Sequence, residues 1–162
     1  MYAAPLIAHG APNDVVAYRS GSPITAARFM ADAAHLATEL PATGHVLNAC
    51  QDRYCFAVGL AACIASKRVS LLPSTHTPEA IRQLGRFAPD AICLTDDPAC
   101  DIALPQIRFP KGAVPHTQVW RVPSIAADQL VAYVFTSGST GVPVPHAKTW
   151  GRLVRCVQIE AE

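Results

Sequence analysis

The chain has 162 residues, 51% of them apolar, and a formal charge of +1 with its basic residues scattered along the length. This is enough apolar material for one substantial core, and it excludes a disordered or collagen-like chain. It also gives no basic groove for nucleic acid and no cationic face for an anionic membrane.

In chain order, the apolar alternation of "DVVAYRSG" (14–21) predicts a strand entering a turn at Ser20 to Pro23. Thr25 then caps a helix in which Phe29, Ala33, Leu36, Ala37 and Leu40 recur at helical spacing, and Pro41 ends it. "GHVLNAC" (44–50) reads as a short buried strand. Asp52 is the N-cap of the next helix, whose Phe56, Leu60, Cys63 and Ile64 share a face. "RVSLLP" (68–73) is a further strand. Thr77 before Pro78 starts a helix that Ile81, Leu84 and Phe87 carry to Pro89, since the fixed φ of proline suits a first turn. "DAICLTDD" (90–97) is a strand closed by acidic turn residues.

Strand and helix alternate with short links, and the strands are continuously apolar. The expected fold is therefore a layered α/β domain with a mostly parallel sheet and helices on both faces. Between 98 and 124 five prolines (98, 105, 110, 115 and 123) break the rhythm into short extended pieces, read as an irregular crossover or edge-strand region. "QLVAYVF" (129–135) restores a buried strand, and "KTWGRLVRCVQIE" predicts a closing helix.

Six cysteines lie at 50, 55, 63, 93, 100 and 156 without a CxxC spacing, several within apolar stretches, and are read as small buried hydrophobes. They fit a reducing cytoplasm. The N-terminus lacks the basic start and long apolar run of a signal peptide, and "FAVGLAACIA" is too short to span a bilayer, so a soluble cytoplasmic protein is expected.

The strongest chemical signal is "FTSGSTGVP" (135–143), which follows the last apolar strand. Backbone N–H groups converge where a strand ends in glycines and hydroxyl residues, and a helix beginning there adds positive potential, so such a turn suits a polyphosphate. Glycines 138 and 141 let the backbone approach the oxygens, while Thr136, Ser137, Ser139 and Thr140 add side-chain donors. It is not a Walker A loop, because G-K-[ST] is absent.

"YVFTSGSTGVP" resembles the phosphate-binding signature of the adenylate-forming (AMP-binding) superfamily: an aromatic residue, then T-S-G-[ST]-T-G-x-P-K-G. Residues 135–143 match every specified position. The order of elements in residues 46–97 also resembles the segment that precedes this signature in acyl-CoA and aryl-CoA ligases, luciferases and peptide-synthetase adenylation domains. The resemblance implies an ATP-dependent acid–thiol ligase that uses magnesium. A small-molecule carboxylic acid becomes an acyl-adenylate and passes to a thiol of coenzyme A or of carrier-protein phosphopantetheine, so an acyl carrier protein is one implied partner. The implied cofactor-binding residues are Thr136, Ser137, Gly138, Ser139, Thr140 and Gly141.

Two departures qualify the resemblance. Val144 and Pro145 stand where the family has lysine and glycine, and Lys148 is the candidate replacement. If a helix begins near His146, Lys148, Arg152 and Arg155 share one face and Trp150, Leu153, Val154 and Val157 the other. The second departure is length. The motifs that family members carry beyond this region are absent, so residues 1–162 are expected to form a single incomplete α/β subdomain, the N-terminal part of such an enzyme and inactive alone. No catalytic residue and no metal ligand is assigned within it. A non-catalytic nucleotide-binding or interaction module of the same fold stays open as the alternative, and exposed apolar surface would favour a homodimer.

Asp96 and Asp97 are read as turn or capping residues, and Ser74 to His76 as a loop into a capped helix rather than a nucleophile site. The six histidines show no metal-ligand spacing. Trp120 and Trp150 are read as packing residues.

Overall fold

In the computed structural model, residues 2–110, 120–137 and 143–160 are described. Strands β1 (Ala3–Pro5), β2 (Val15–Arg19) and β3 (Ser22–Thr25) lead into helix α1 (Ala26–Glu39). Then follow β4 (His45–Asn48), α2 (Arg53–Ala65), β5 (Val69–Leu72), α3 (Pro78–Phe87) and β6 (Ile92–Thr95). The chain continues through β7 (Gln106–Arg108), β8 (Ser124–Ala126), β9 (Leu130–Ser137), β10 (Pro143–Thr149) and α4 (Trp150–Glu160).

The helix starts are set by local side-chain chemistry. Thr25 Oγ1 accepts the N–H of Arg28 at 3.2 Å, and Thr77 Oγ1 that of Ala80 at 3.3 Å. Asp52 Oδ1 accepts the N–H groups of Tyr54 and Cys55 at 2.9 and 3.0 Å, using up donors that the first turn leaves unpaired. Between β2 and β3 the turn residues Ser20 and Gly21 both have positive φ, at 50° and 79°, which matches the twist of a two-residue hairpin.

Six strands form the main sheet in the order β10-β9-β5-β4-β6-β7, with every pair parallel except the β9–β10 hairpin. The fold is α/β with a mostly parallel sheet, its central strands β4, β5 and β6 largely buried between helices. One face packs Val46, Ile92, Leu94 and Val131 against Met30, Ala33 and Leu36 of α1 and Val58, Ala62 and Cys63 of α2. The other packs Leu47, Leu71, Cys93 and Phe135 against Ile81 and Leu84 of α3. Helices cover both faces. Two small antiparallel pairs, β1–β8 and β2–β3, stand apart from the main sheet.

The end of the described chain departs from expectation. Residues 143–149 form a strand, not the first turns of a helix, and α4 begins at Trp150 rather than near His146. Pairing with β9 supplies partners for this backbone, while Pro143 and Pro145, two residues apart, turn their missing N–H groups toward the same edge. Because β10 is an edge strand, that side needs no ladder donors. Arg152 and Arg155 are exposed on α4, and Trp150 and Leu153 pack against the first core, but Val157 is 66% exposed instead of joining them.

Candidate phosphate site

β9 runs parallel to β5, with Leu71 opposite Tyr133 and Leu72 opposite Val134, so its carboxyl end lies on the same side of the sheet as those of β5, β4 and β6. It is anchored by aromatic rings. Phe87 of α3 stands edge-on to Tyr133 at 4.9 Å and to Phe135 at 5.4 Å between centroids. Phe135 is buried and the next residue, Thr136, is exposed, so the polar turn starts where the core ends.

The sequence candidates fall in three places. Thr136, the last residue of β9 but one, is an exposed hydroxyl residue, and Ser137 closes the strand opposite Pro143. Gly138, Ser139, Thr140 and Gly141 lie outside the described residues. Lys148 is half-buried in β10 opposite Ala132, beside a bulge at Lys148/Thr149. Strands rise about 3.3 Å per residue, so Lys148 stands roughly 16 Å along β10 from Pro143.

His146 is exposed in β10. It pairs with Val134, and its Nε2 lies 3.0 Å from Thr136 Oγ1, a hydrogen bond across the hairpin. Only the two-residue period of a strand could have revealed this contact, and two prolines hid that period. Val144 is opposite Thr136 and 46% exposed. A cavity of about 200 Å³ opens beside the hairpin on the α3 side, between Ser74, Gln83, Phe87, Phe135 and Pro145.

The remaining candidates behave as structural residues. Asp96 accepts the backbone N–H groups of Gln51 and Asp52, each at 2.9 Å, and Asp97 that of Ala99 at 2.8 Å. These are turn and capping contacts. Cys55, Cys63 and Cys93 are buried, and desolvation pushes their thiols up to about 12, 11 and 12, which keeps them protonated and unreactive at neutral pH. Cys156 is exposed on α4 and departs from the buried reading. Among the described residues no group of three or more His, Cys, Asp or Glu could hold a metal ion. No helix among them is long and apolar enough to cross a membrane. Trp150 packs, and its Nε1 donates to the carbonyl of Ala4 at 3.1 Å.

No protein-family model and no curated protein matches the sequence. Solved structures do match the fold. The N-terminal subdomain of Klebsiella oxytoca NpsA, in complex with 3-hydroxybenzoyl-AMSN, superposes with a TM-score of 0.60 at 19% identity, over 85% of this chain and 37% of that one. The o-succinylbenzoate coenzyme A synthetase MenE of Bacillus subtilis, in complex with ATP and magnesium, gives 0.70 at 16% identity, over 93% of this chain and 43% of that one. A malonyl-CoA ligase with methylmalonyl-CoA and AMP bound gives 0.66 at 20% identity, over 94% and 33%. The chain thus spans about two-fifths of the first two structures and a third of the last. The layered sheet, the parallel β9 and the hairpin at its end together have the fold of the N-terminal part of adenylate-forming enzymes.

Proposed function

We propose that the chain is the N-terminal part of an ATP-dependent acyl- or aryl-acid ligase, and that residues 136–143 hold the β- and γ-phosphates of ATP. The observation that carries this reading is the coincidence of the "TSGSTGVP" turn with the carboxyl end of β9, in a fold shared with an enzyme solved with ATP and magnesium. The residues present suit an anion. An exposed hydroxyl at Thr136 opens the turn, glycines follow, and no described carboxylate is bonded to Thr136 or His146.

In this reading Thr136, Ser137, Ser139 and Thr140 offer hydroxyl donors, while Gly138 and Gly141 let backbone N–H groups reach the phosphate oxygens. His146 fixes the Thr136 hydroxyl across the hairpin and so sets which lone pair or proton the turn presents. ATP is a substrate here, with magnesium on its phosphates. The acid's carboxylate oxygen bonds to the α-phosphorus as pyrophosphate departs. A thiol, from coenzyme A or a carrier protein, then bonds to the acyl carbon as AMP departs. The turn's part is to orient the leaving pyrophosphate and spread its charge. Among the described residues a strand, β10, follows the turn rather than a helix, so in this reading hydroxyls and amides carry the role.

Lys148 has a different place from the family's lysine. A lysine side chain extends about 6 Å, so from the far end of β10 it meets the nucleotide only if the triphosphate lies along the β10 face rather than at the hairpin tip. Co-crystals of the full-length product with a non-hydrolysable ATP analogue and magnesium test the reading. Phosphate density cupped by residues 136–143 supports it. A turn folded against protein, with no room for an anion, overturns it.

A further inference from the structure

His146 is the one ionisable residue in the sequence between Tyr133 and Lys148, a stretch that contains the whole hydroxyl-rich turn. Its place follows from the hairpin register. Residues directly opposite in an antiparallel pair share a face, and so do residues two apart along one strand. Val134 is opposite His146 and Thr136 is opposite Val144. Thr136, Val144, His146 and Lys148 therefore share one face of the hairpin, while Phe135 and Pro145 lie on the other, beside the small cavity. His146 stands diagonally across from Thr136, which brings its Nε2 to 3.0 Å from the Thr136 Oγ1.

The surroundings leave this imidazole without a countercharge. β9 and α4 pack against β10, and the loop after β5 reaches the hairpin on the Pro145 face through the uncharged Ser74 and Thr75. The one titratable group of β9, Tyr133, turns its ring to Phe87 and His45 on that same opposite face. On α4, Arg152, Arg155 and Cys156 are exposed, and the one carboxylate of that helix is Glu160 at its far end. Lys148 shares the face of His146 but lies two residues, roughly 7 Å, farther from the turn. Among the described residues Thr136 is the one hydrogen-bond partner of His146, and no carboxylate forms an ion pair with it.

The protonation state of the ring decides what Thr136 offers an anion. In a neutral ring with its proton on Nδ1, Nε2 accepts the Thr136 hydroxyl proton, and Oγ1 turns only lone pairs outward. In the imidazolium both ring nitrogens donate. Nε2–H then donates to Oγ1, the hydroxyl proton is free for a phosphate oxygen, and a positive charge stands one hydrogen bond behind it. A neutral ring protonated on Nε2 also donates but brings no charge. We propose that His146 links polyphosphate binding at this turn to protonation: the imidazolium form binds, and binding draws a proton from solvent onto the ring. This rests on the reading of residues 136–143 as the phosphate site. His146 is then a positioning residue, which acts through the Thr136 hydroxyl and adds charge.

The test is the Kd of magnesium-ATP for the full-length protein from about pH 5.5 to about pH 8.5, a range centred near the ordinary histidine value of about 6.5. Wild type, His146→Gln and His146→Lys are compared. The terminal phosphate of the ligand titrates in the same range, so the quantity read is the ratio of variant to wild-type Kd at each pH. For His146→Gln the ratio should be about tenfold at the acid end and approach one at the alkaline end, while His146→Lys, charged throughout, should bind more tightly than wild type at the alkaline end. His146 is exposed on an edge strand, so these variants keep the fold. A second measurement needs no folded variant: in wild type with labelled histidine, magnesium-ATP should raise the NMR titration midpoint of His146 by about one unit, the reciprocal of a tenfold preference. ATP that binds with a pH-independent ratio, or with the midpoint unmoved, overturns the linkage and leaves the ligase reading standing. No ATP binding at any pH overturns both.

Discussion

Gly59 sits where α2 crosses the sheet most closely. A Cβ built there would meet Asn48 Nδ2 at 2.6 Å and Leu94 Cδ2 at 2.7 Å, on β4 and β6 respectively. Neither neighbour yields easily, since Asn48 Nδ2 donates to the carbonyl of Phe56 at 2.8 Å and Leu94 is fully buried. Gly59→Ala is expected to destabilise the fold by about 1–3 kcal/mol, read as a lower urea midpoint at unchanged slope. A second single-residue effect is electrostatic. Asp90 is held below the ordinary carboxylate range chiefly by a hydrogen bond from His45, 2.7 Å away, and then by the N–H of Gly44. The folded state therefore binds fewer protons than the unfolded chain in the window just below the unfolded value near 4. Stability from this contact is present above that value and is lost as pH falls through the folded one. Asp90→Asn should flatten the acid limb of a stability–pH curve, and an unchanged limb would show that the contact has no such effect.

At the scale of elements, the caps govern the helices and the hairpin governs the site. Asp52→Ala removes two backbone acceptor contacts at the start of α2, and a loss of about 1–2 kcal/mol is expected in chemical denaturation. On the proposed ligase reading, Thr136→Ala in the full-length protein should raise the KM for ATP more than Lys148→Ala does, because Thr136 opens the turn and Lys148 lies well down β10. The reverse order would place the nucleotide along the strand instead. The same contrast explains what was legible in the sequence. Thr25, Asp52 and Thr77 announced their helices because capping is local chemistry within three residues. The short apolar-rich runs 45–48, 69–72 and 92–95 announced buried parallel strands for a similar reason. β10 was hidden because its partner lies across a turn and its prolines read as breakers until the strand is known to be an edge.

For the whole molecule, the sheet gathers the carboxyl ends of β9, β5, β4 and β6 on one side, which places the hydroxyl-rich turn on one rim of the fold. Acid activation on that rim is the central claim, and pyrophosphate release by the full-length product is its most direct measurement. With ATP and magnesium, release should appear only on addition of a carboxylic acid, across a screen of aromatic and fatty acids, and should fall at least about tenfold in a Thr136→Ala variant. Acid-independent release, or none with any acid while nucleotide still binds, would contradict it.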